Sequence, residues 1–176
     1  MKDLKKVAKV YAISCHRGTN HMYNDKPYEF HLDMVVKAAY KFIDMIPVEK
    51  RDEIIAACWC HDVIEDCRQT YNDVKQATSE QVAEYVYALT NEKGKSRKER
   101  GNGKYYREMR AIDYAPFIKI CDRIANVKYS KDTGSSMFKM YQKENDDFFQ
   151  MISGAQPKEI TIAALNYLSE ILKSEN

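Results

Sequence analysis

The sequence predicts an all-α fold, a single-domain helical bundle of about eight or nine helices, and three observations predict it. Apolar residues recur at three- and four-residue spacing along most of the chain, no alternating run bounded by hairpin signals occurs, and only 6 glycines and 4 prolines interrupt 176 residues. A chain of this length buries one substantial core, so a single domain over 1–176 is expected. With 44% hydrophobic and 31% charged residues, and 28 Lys+Arg against 26 Asp+Glu, the composition is that of a nearly charge-balanced globular protein. Such a balance argues against nucleic acid or an anionic membrane as partner.

The elements follow in order. Lys5 to Cys15 sets Val7, Val10, Tyr11 and Ser14 on one side of a first helix, and a polar loop runs from His16 to Pro27. A second helix starts near His31, carries Met34, Val35, Ala38, Ala39, Phe42 and Ile43, and ends before Pro47. The third runs from about Lys50 through CWCHDVIEDC (58–67), with Ile54, Ile55, Cys58 and Val63 or Ile64 facing inward. Thr78 to Gln81 has the form of a capping box opening a helix through Val82, Val86 and Leu89. Asn91 to Lys104 reads as a basic loop. Helices are then expected over Tyr105 to Tyr114, Pro116 to about Tyr129, Ser135 to Ile152 and Pro157 to Lys173, Pro116 suiting a first helical turn.

No run reaches the roughly 18 apolar residues of a membrane span, and lysines stud MKDLKKVAKVYA where a signal peptide has its apolar centre. A cytoplasmic location is expected. The five cysteines are odd in number and several lie within apolar helical patterns, which favours reduced core thiols over disulfides.

Chemistry concentrates in CWCHDVIEDC. On a helix, His61 and Glu65 are four apart, as are Asp62 and Asp66, so four ionisable groups share one sector. Burying them without a counter-charge is costly, and a cation is expected there. A thiol site, an imidazole-and-carboxylate site and a polar seam on an ordinary helix are the three readings of the stretch. Cys58 and Cys60 are one residue apart, whereas zinc sites favour a two- to four-residue gap, which weakens the first. Two distant anomalies support the second: His31 at the start of an apolar helix, and Asp122 inside FIKICDRIA (117–125). Against them stand a surface role for His31 and a simple Asp122–Arg123 ion pair.

The order H…HD…D, with KPYEFH (26–31), CHDVIED (60–66) and IKICDRIAN (118–126), resembles the HD superfamily of metal-dependent phosphohydrolases, and more narrowly the hydrolase domain of Rel/SpoT-type alarmone enzymes and their small stand-alone relatives. The likeness covers about residues 5 to 150, with the helix over 157–173 outside it. It implies a helical HD bundle with His31, His61, Asp62 and Asp122 holding a divalent metal, usually Mn(2+) although another divalent ion is possible. It further implies Glu65 and Asp66 as the pair that positions and deprotonates water, with Asn126 contacting a nucleotide. Mixed imidazole and carboxylate ligands suit such an ion.

The substrate side implied by the resemblance comprises the basic segment with Lys95 and Arg97, then Arg123, Tyr141 and His21. The basic segment is equally explained as a solvated loop and Tyr141 as core. His21 stands where the family carries a basic residue, unless an insertion leaves Arg17 in that role; Ala125 replaces a common histidine, and Leu32 the proline after the first ligand. These departures bear on substrate specificity and leave the metal set intact. The implied reaction is removal of the 3′-pyrophosphate from a guanosine polyphosphate such as ppGpp, or of a phosphate from a related nucleotide such as a nicotinamide dinucleotide 2′-phosphate. An HD-type 5′-nucleotidase and a non-catalytic nucleotide-sensing module are the alternatives. The expected partner is a small phosphorylated nucleotide, with self-association into a homo-oligomer possible.

Overall fold

The structure, a computed structural model, describes residues 3–174. Its α-helices are α1 Leu4–Gly18, α2 Glu29–Tyr40, α3 Val48–Cys60, α4 Val63–Asp66, α5 Tyr71–Ala77, α6 Glu80–Leu89, α7 Arg97–Arg100, α8 Gly103–Arg110, α9 Ala115–Asp132, α10 Met137–Ile152 and α11 Lys158–Lys173. Two of these, α4 and α7, are single turns, so nine longer helices make the bundle among the described residues. No helix among them is long and apolar enough to cross a membrane. The loop before α2 also holds a small hairpin, β1 Met22–Tyr23 paired antiparallel with β2 Lys26–Pro27, too short to show as an alternating run in the sequence.

α9 is the central helix, packing against α2, α3, α6, α8, α10 and α11. Eleven of its eighteen residues are buried, including Phe117, Ile118, Ile120 and Ile124, and Pro116 occupies its first turn as the sequence predicts. A polar side chain on such a helix must find a partner, and Asp122 finds several. Phe117 meets Phe42 edge to face, ring centroids 5.9 Å apart.

Several boundaries differ from the sequence reading. α1 buries Ala8, Ala12 and His16, while Val10 and Ser14 are exposed. Small side chains let α1 lie close on α3, near enough for the Cys60 thiol to reach the Ala8 carbonyl oxygen at 3.7 Å. The capping box lies at Thr70 and Asp73, opening a helix, α5, that the sequence reading missed; α6 is capped instead by Ser79, whose hydroxyl accepts from the Val82 amide. The basic stretch is only partly loop, since Ser96 and Asn102 cap α7 and α8 within it. All five cysteines are free; Cys58, Cys60, Cys67 and Cys121 are buried in apolar surroundings.

Candidate metal centre

CWCHDVIEDC does not lie on one continuous helix. α3 ends at Cys60, Asp62 leaves the helical region with φ −107° and ψ 0°, and the single turn α4 follows. The break turns both His61 and Asp62 toward the bundle interior. The Asp66 amide still donates to the Asp62 carbonyl at 2.8 Å, which keeps the acidic pair one turn from the HD pair.

His31 at the start of α2, His61 at the end of α3 and Asp122 in mid-α9 converge. Each offers a ligand atom, and these atoms all lie within 4.8 Å of one another. His31 Nε2 is 3.2 Å from Asp122 Oδ1, and His61 Nε2 is 3.8 Å from the same oxygen. Asp62 joins at the edge of this trio, with Oδ2 2.8 Å from His61 Nε2. Both histidine side chains are almost fully buried, at 2% and 3% exposure.

The donors fit a divalent cation. His61 Nδ1 faces the Cys58 carbonyl oxygen at 3.0 Å, which fixes the ring and leaves Nε2 as the free lone pair. That buried Nε2 makes no directed hydrogen bond, although Asp62 Oδ2 lies 2.8 Å away and Asp122 Oδ1, at 3.8 Å, is out of bonding range. A buried ring nitrogen facing two carboxylates without a directed bond to either suits a cation shared among them. Two imidazoles with two carboxylates suit manganese or a similar ion.

Neighbouring side chains hold the donors in place. Asp62 accepts a hydrogen bond from the Tyr28 hydroxyl. Asp122 accepts from Lys119 Nζ at 3.1 Å and from Asn126 Nδ2 at 2.6 Å. Burial alone would raise the pKa of Asp122, but the Lys119 ammonium and the two imidazoles hold it well below the usual carboxylate range. Asp62 is likewise lowered, burial being outweighed by His61. Burial pushes the His61 pKa down, yet the Asp62 and Asp122 carboxylates outweigh it and lift the value to about 9 when no cation is present. His31 is packed face to face with Tyr23, whose hydroxyl donates to Asn126 Oδ1 at 2.9 Å.

Removing the Tyr28 hydroxyl tests this outer layer. Tyr28→Phe keeps the ring and is expected to weaken metal affinity roughly 10- to 100-fold while leaving the far-ultraviolet circular dichroism unchanged. An unaltered affinity in a metal titration would show that the phenol does not orient Asp62.

Glu65 and Asp66 sit at the mouth of the site. Glu65 is held by Asn91, whose side-chain amide lies 3.0 Å from both carboxylate oxygens. Asp66 Oδ2 is 3.7 Å from His21 Nδ1. Partial burial, with the Asp62 and Glu65 charges, lifts the Asp66 pKa to about 7.

The remaining predicted residues divide. Asn126 joins the His31–His61–Asp122 cluster through its hydrogen bond to Asp122. Arg123 does not pair with Asp122; its guanidinium bonds Glu144 Oε2 at 3.0 Å and lies 4.4 Å over the Tyr141 ring. Arg97 reaches the same Glu144 oxygen at 3.3 Å and lies 5.5 Å over the same ring, so Arg97, Arg123, Tyr141 and Glu144 form one wall. Lys95 uses its backbone amide to bond Glu99 and projects an exposed side chain. His21 stacks on Tyr28 at 3.9 Å and approaches buried His16, Nδ1 to Nδ1 3.0 Å. Sequence reasoning gave no role to Lys119, Tyr23, His16 or Asn91. Only Lys119 carried a signal: a lysine three residues before Asp122 in an apolar run.

No family model matches the sequence, and no curated protein does either. A solved structure does match: a metazoan ortholog of SpoT that hydrolyzes ppGpp and plays a role in starvation responses superposes with a TM-score of 0.72 over 97% of this chain and 96% of that one. The two chains share a fold. At 18% identity the likeness is one of architecture, and it extends through α11, beyond the segment that carries the sequence resemblance.

Proposed function

We propose that this chain is a divalent-metal-dependent phosphohydrolase acting on a phosphorylated nucleotide, with removal of the 3′-pyrophosphate from guanosine tetraphosphate as the reaction that fits best. The carrying observation is the convergence of His31, His61 and Asp122, with Asp62 attached, one turn from an acidic pair. A bound divalent cation supplies Lewis acidity toward water and phosphate oxygens. The chain's own residues do the rest. Asp66, with a pKa near 7, is poised to accept a proton from an attacking water at neutral pH, and Glu65, braced by Asn91, orients that water. Arg97 and Arg123 beside Tyr141 offer guanidinium groups to phosphates and a ring face to the nucleotide. The His21–Tyr28 stack forms a second aromatic surface where a base can lie. Kinship of fold with a ppGpp hydrolase supports the same assignment.

A manganese-supplemented panel of guanosine tetraphosphate, nucleoside monophosphates and nicotinamide dinucleotide phosphate tests it, with pyrophosphate release from the first expected. Orthophosphate from monophosphates alone would reassign the chain to 5′-nucleotidase chemistry, and no turnover of any member would sink the proposal. The double variant Glu65→Gln, Asp66→Asn is expected to keep its metal and lose roughly 10²- to 10⁴-fold in kcat. Undiminished nucleotide binding with no activity in the unaltered protein would point to a sensing module.

A further inference from the structure

A cavity of about 420 Å³ lies between α2, α9 and α11, within the size range of small-molecule sites. None of the proposed metal ligands or acidic residues lines it. Its lining is apolar and aromatic in part, with Phe30, Met34, Tyr129 and Tyr167, and carries four lysines, Lys26, Lys37, Lys41 and Lys128, against one carboxylate, Asp132. The apolar lining follows from helical spacing: Phe30 and Met34 are one turn apart on α2, and Ala125 and Tyr129 one turn apart on α9.

The lysines are the informative feature. Lys37 pairs with Asp33 at 2.6 Å, but no carboxylate among the described residues pairs with Lys26, Lys41 or Lys128. Two of them rest on the rings instead: Lys26 Nζ lies 4.0 Å from the centre of Phe30 and 5.8 Å from that of Tyr129, and Lys41 Nζ lies 4.3 Å from that of Tyr167. A charge-assisted hydrogen bond to a phosphate is stronger than an exposed cation–π contact, so an anion would draw these ammonium groups off the rings. Lifting them frees three aromatic faces. What the cavity then offers is stacking surface together with several cations.

We propose that this cavity is a second binding site, for a nucleoside polyphosphate, with the base against Phe30, Tyr129 and Tyr167 and the phosphates among Lys26, Lys41 and Lys128, the three lysines that no carboxylate among the described residues pairs. A fatty acid fits less well, because a single carboxylate leaves most of the lysines unmatched and an acyl chain gains nothing from three rings. The site stands apart from the metal centre but touches its support: Tyr129 meets Tyr23 edge on at 5.0 Å, and Tyr23 stacks on His31. The proposal does not depend on the reaction assigned above.

Met34 reports occupancy directly. In protein carrying ¹³C-methyl methionine, with the Met34 resonance assigned through Met34→Leu and chelator present throughout, ATP is titrated into the millimolar range. A saturable shift of the Met34 methyl is expected, unchanged in His31→Ala, with the apparent Kd raised at least about tenfold by the double charge reversal Lys41→Glu, Lys128→Glu at two exposed positions. The proposal is overturned by the absence of a saturable shift, by a shift indifferent to the charge reversal, or by inorganic triphosphate acting as strongly as ATP. Decanoate producing the shift where ATP does not would likewise overturn it, in favour of an acyl anion.

Discussion

Asp122→Ala is expected to lose bound metal and, with it, roughly 10³-fold or more in kcat/KM, about 4 kcal/mol of transition-state stabilisation. Asp122 Oδ1 is the atom that links the two imidazoles, 3.2 Å from His31 Nε2 and 3.8 Å from His61 Nε2. Without it two histidines and the peripheral Asp62 remain, and affinity should fall by more than the about 100-fold that marks the upper end for an outer-layer partner. The alanine variant also strands Lys119 and exposes the imidazoles to each other, and removing one partner of a buried ion pair costs about 3–5 kcal/mol. Lost activity in a protein that no longer folds would prove nothing about ligation, so Asp122→Asn is the companion. Its side chain keeps the volume and an oxygen that can accept from Lys119, but it is a poor ligand. Elemental analysis of the folded asparagine variant is the deciding measurement: metal content equal to that of the unaltered protein would remove Asp122 from the ligand set.

Why His31 and Asp122 stood out in the sequence while their supports did not is a matter of contrast. A histidine at the head of an apolar helix and an aspartate inside FIKICDRIA break a pattern, and a broken pattern on a buried helix demands a partner. Tyr23 and Asn91 break nothing, because a tyrosine or asparagine in a polar loop is unremarkable until the fold brings it across the chain, and Tyr28 is visible only within KPYEFH, with no role attached to it. Asn91 reaches Glu65 over 26 positions and Tyr23 reaches Asn126 over 103. The helical repeat predicts the long helices, including Pro116 in the first turn of α9, since periodicity is local. It misses α5, which is only seven residues long, and it runs α3 straight through the His61–Asp62 break, because no glycine or proline marks that stop. Tertiary demand ends the helix there: two side chains one residue apart must both face the same interior point.

The second large effect is a pH dependence that the metal removes. In the cation-free protein His61 has a pKa of about 9 against 6.5 for an ordinary histidine, so its stabilisation is complete below pH about 6.5 and is lost as pH rises to about 9. For a side chain 3% exposed that difference amounts to about 3 kcal/mol, or a fall in Tm of roughly 6–12 °C for a chain of this size. Asp66 adds loss of the same sign at the lower end, since its pKa is raised to about 7. Asp62 and Asp122, lowered by their cationic neighbours, contribute stability that is complete above pH about 4 and is therefore flat across this window. With manganese present this slope is cancelled, because a ligating imidazole must shed its proton, so affinity tightens by up to about tenfold per pH unit below 9 and offsets the loss seen in the cation-free fold. At a metal concentration of about 100 times Kd, binding adds about 2.7 kcal/mol, and the same concentration adds more as Kd falls. Melting curves in chelator and in manganese, taken at pH 6.5 and 8, should thus diverge, the chelated protein softening while the loaded one holds. Parallel curves would mean that His61 is already neutral in the metal-free protein and that the two carboxylates do not charge it.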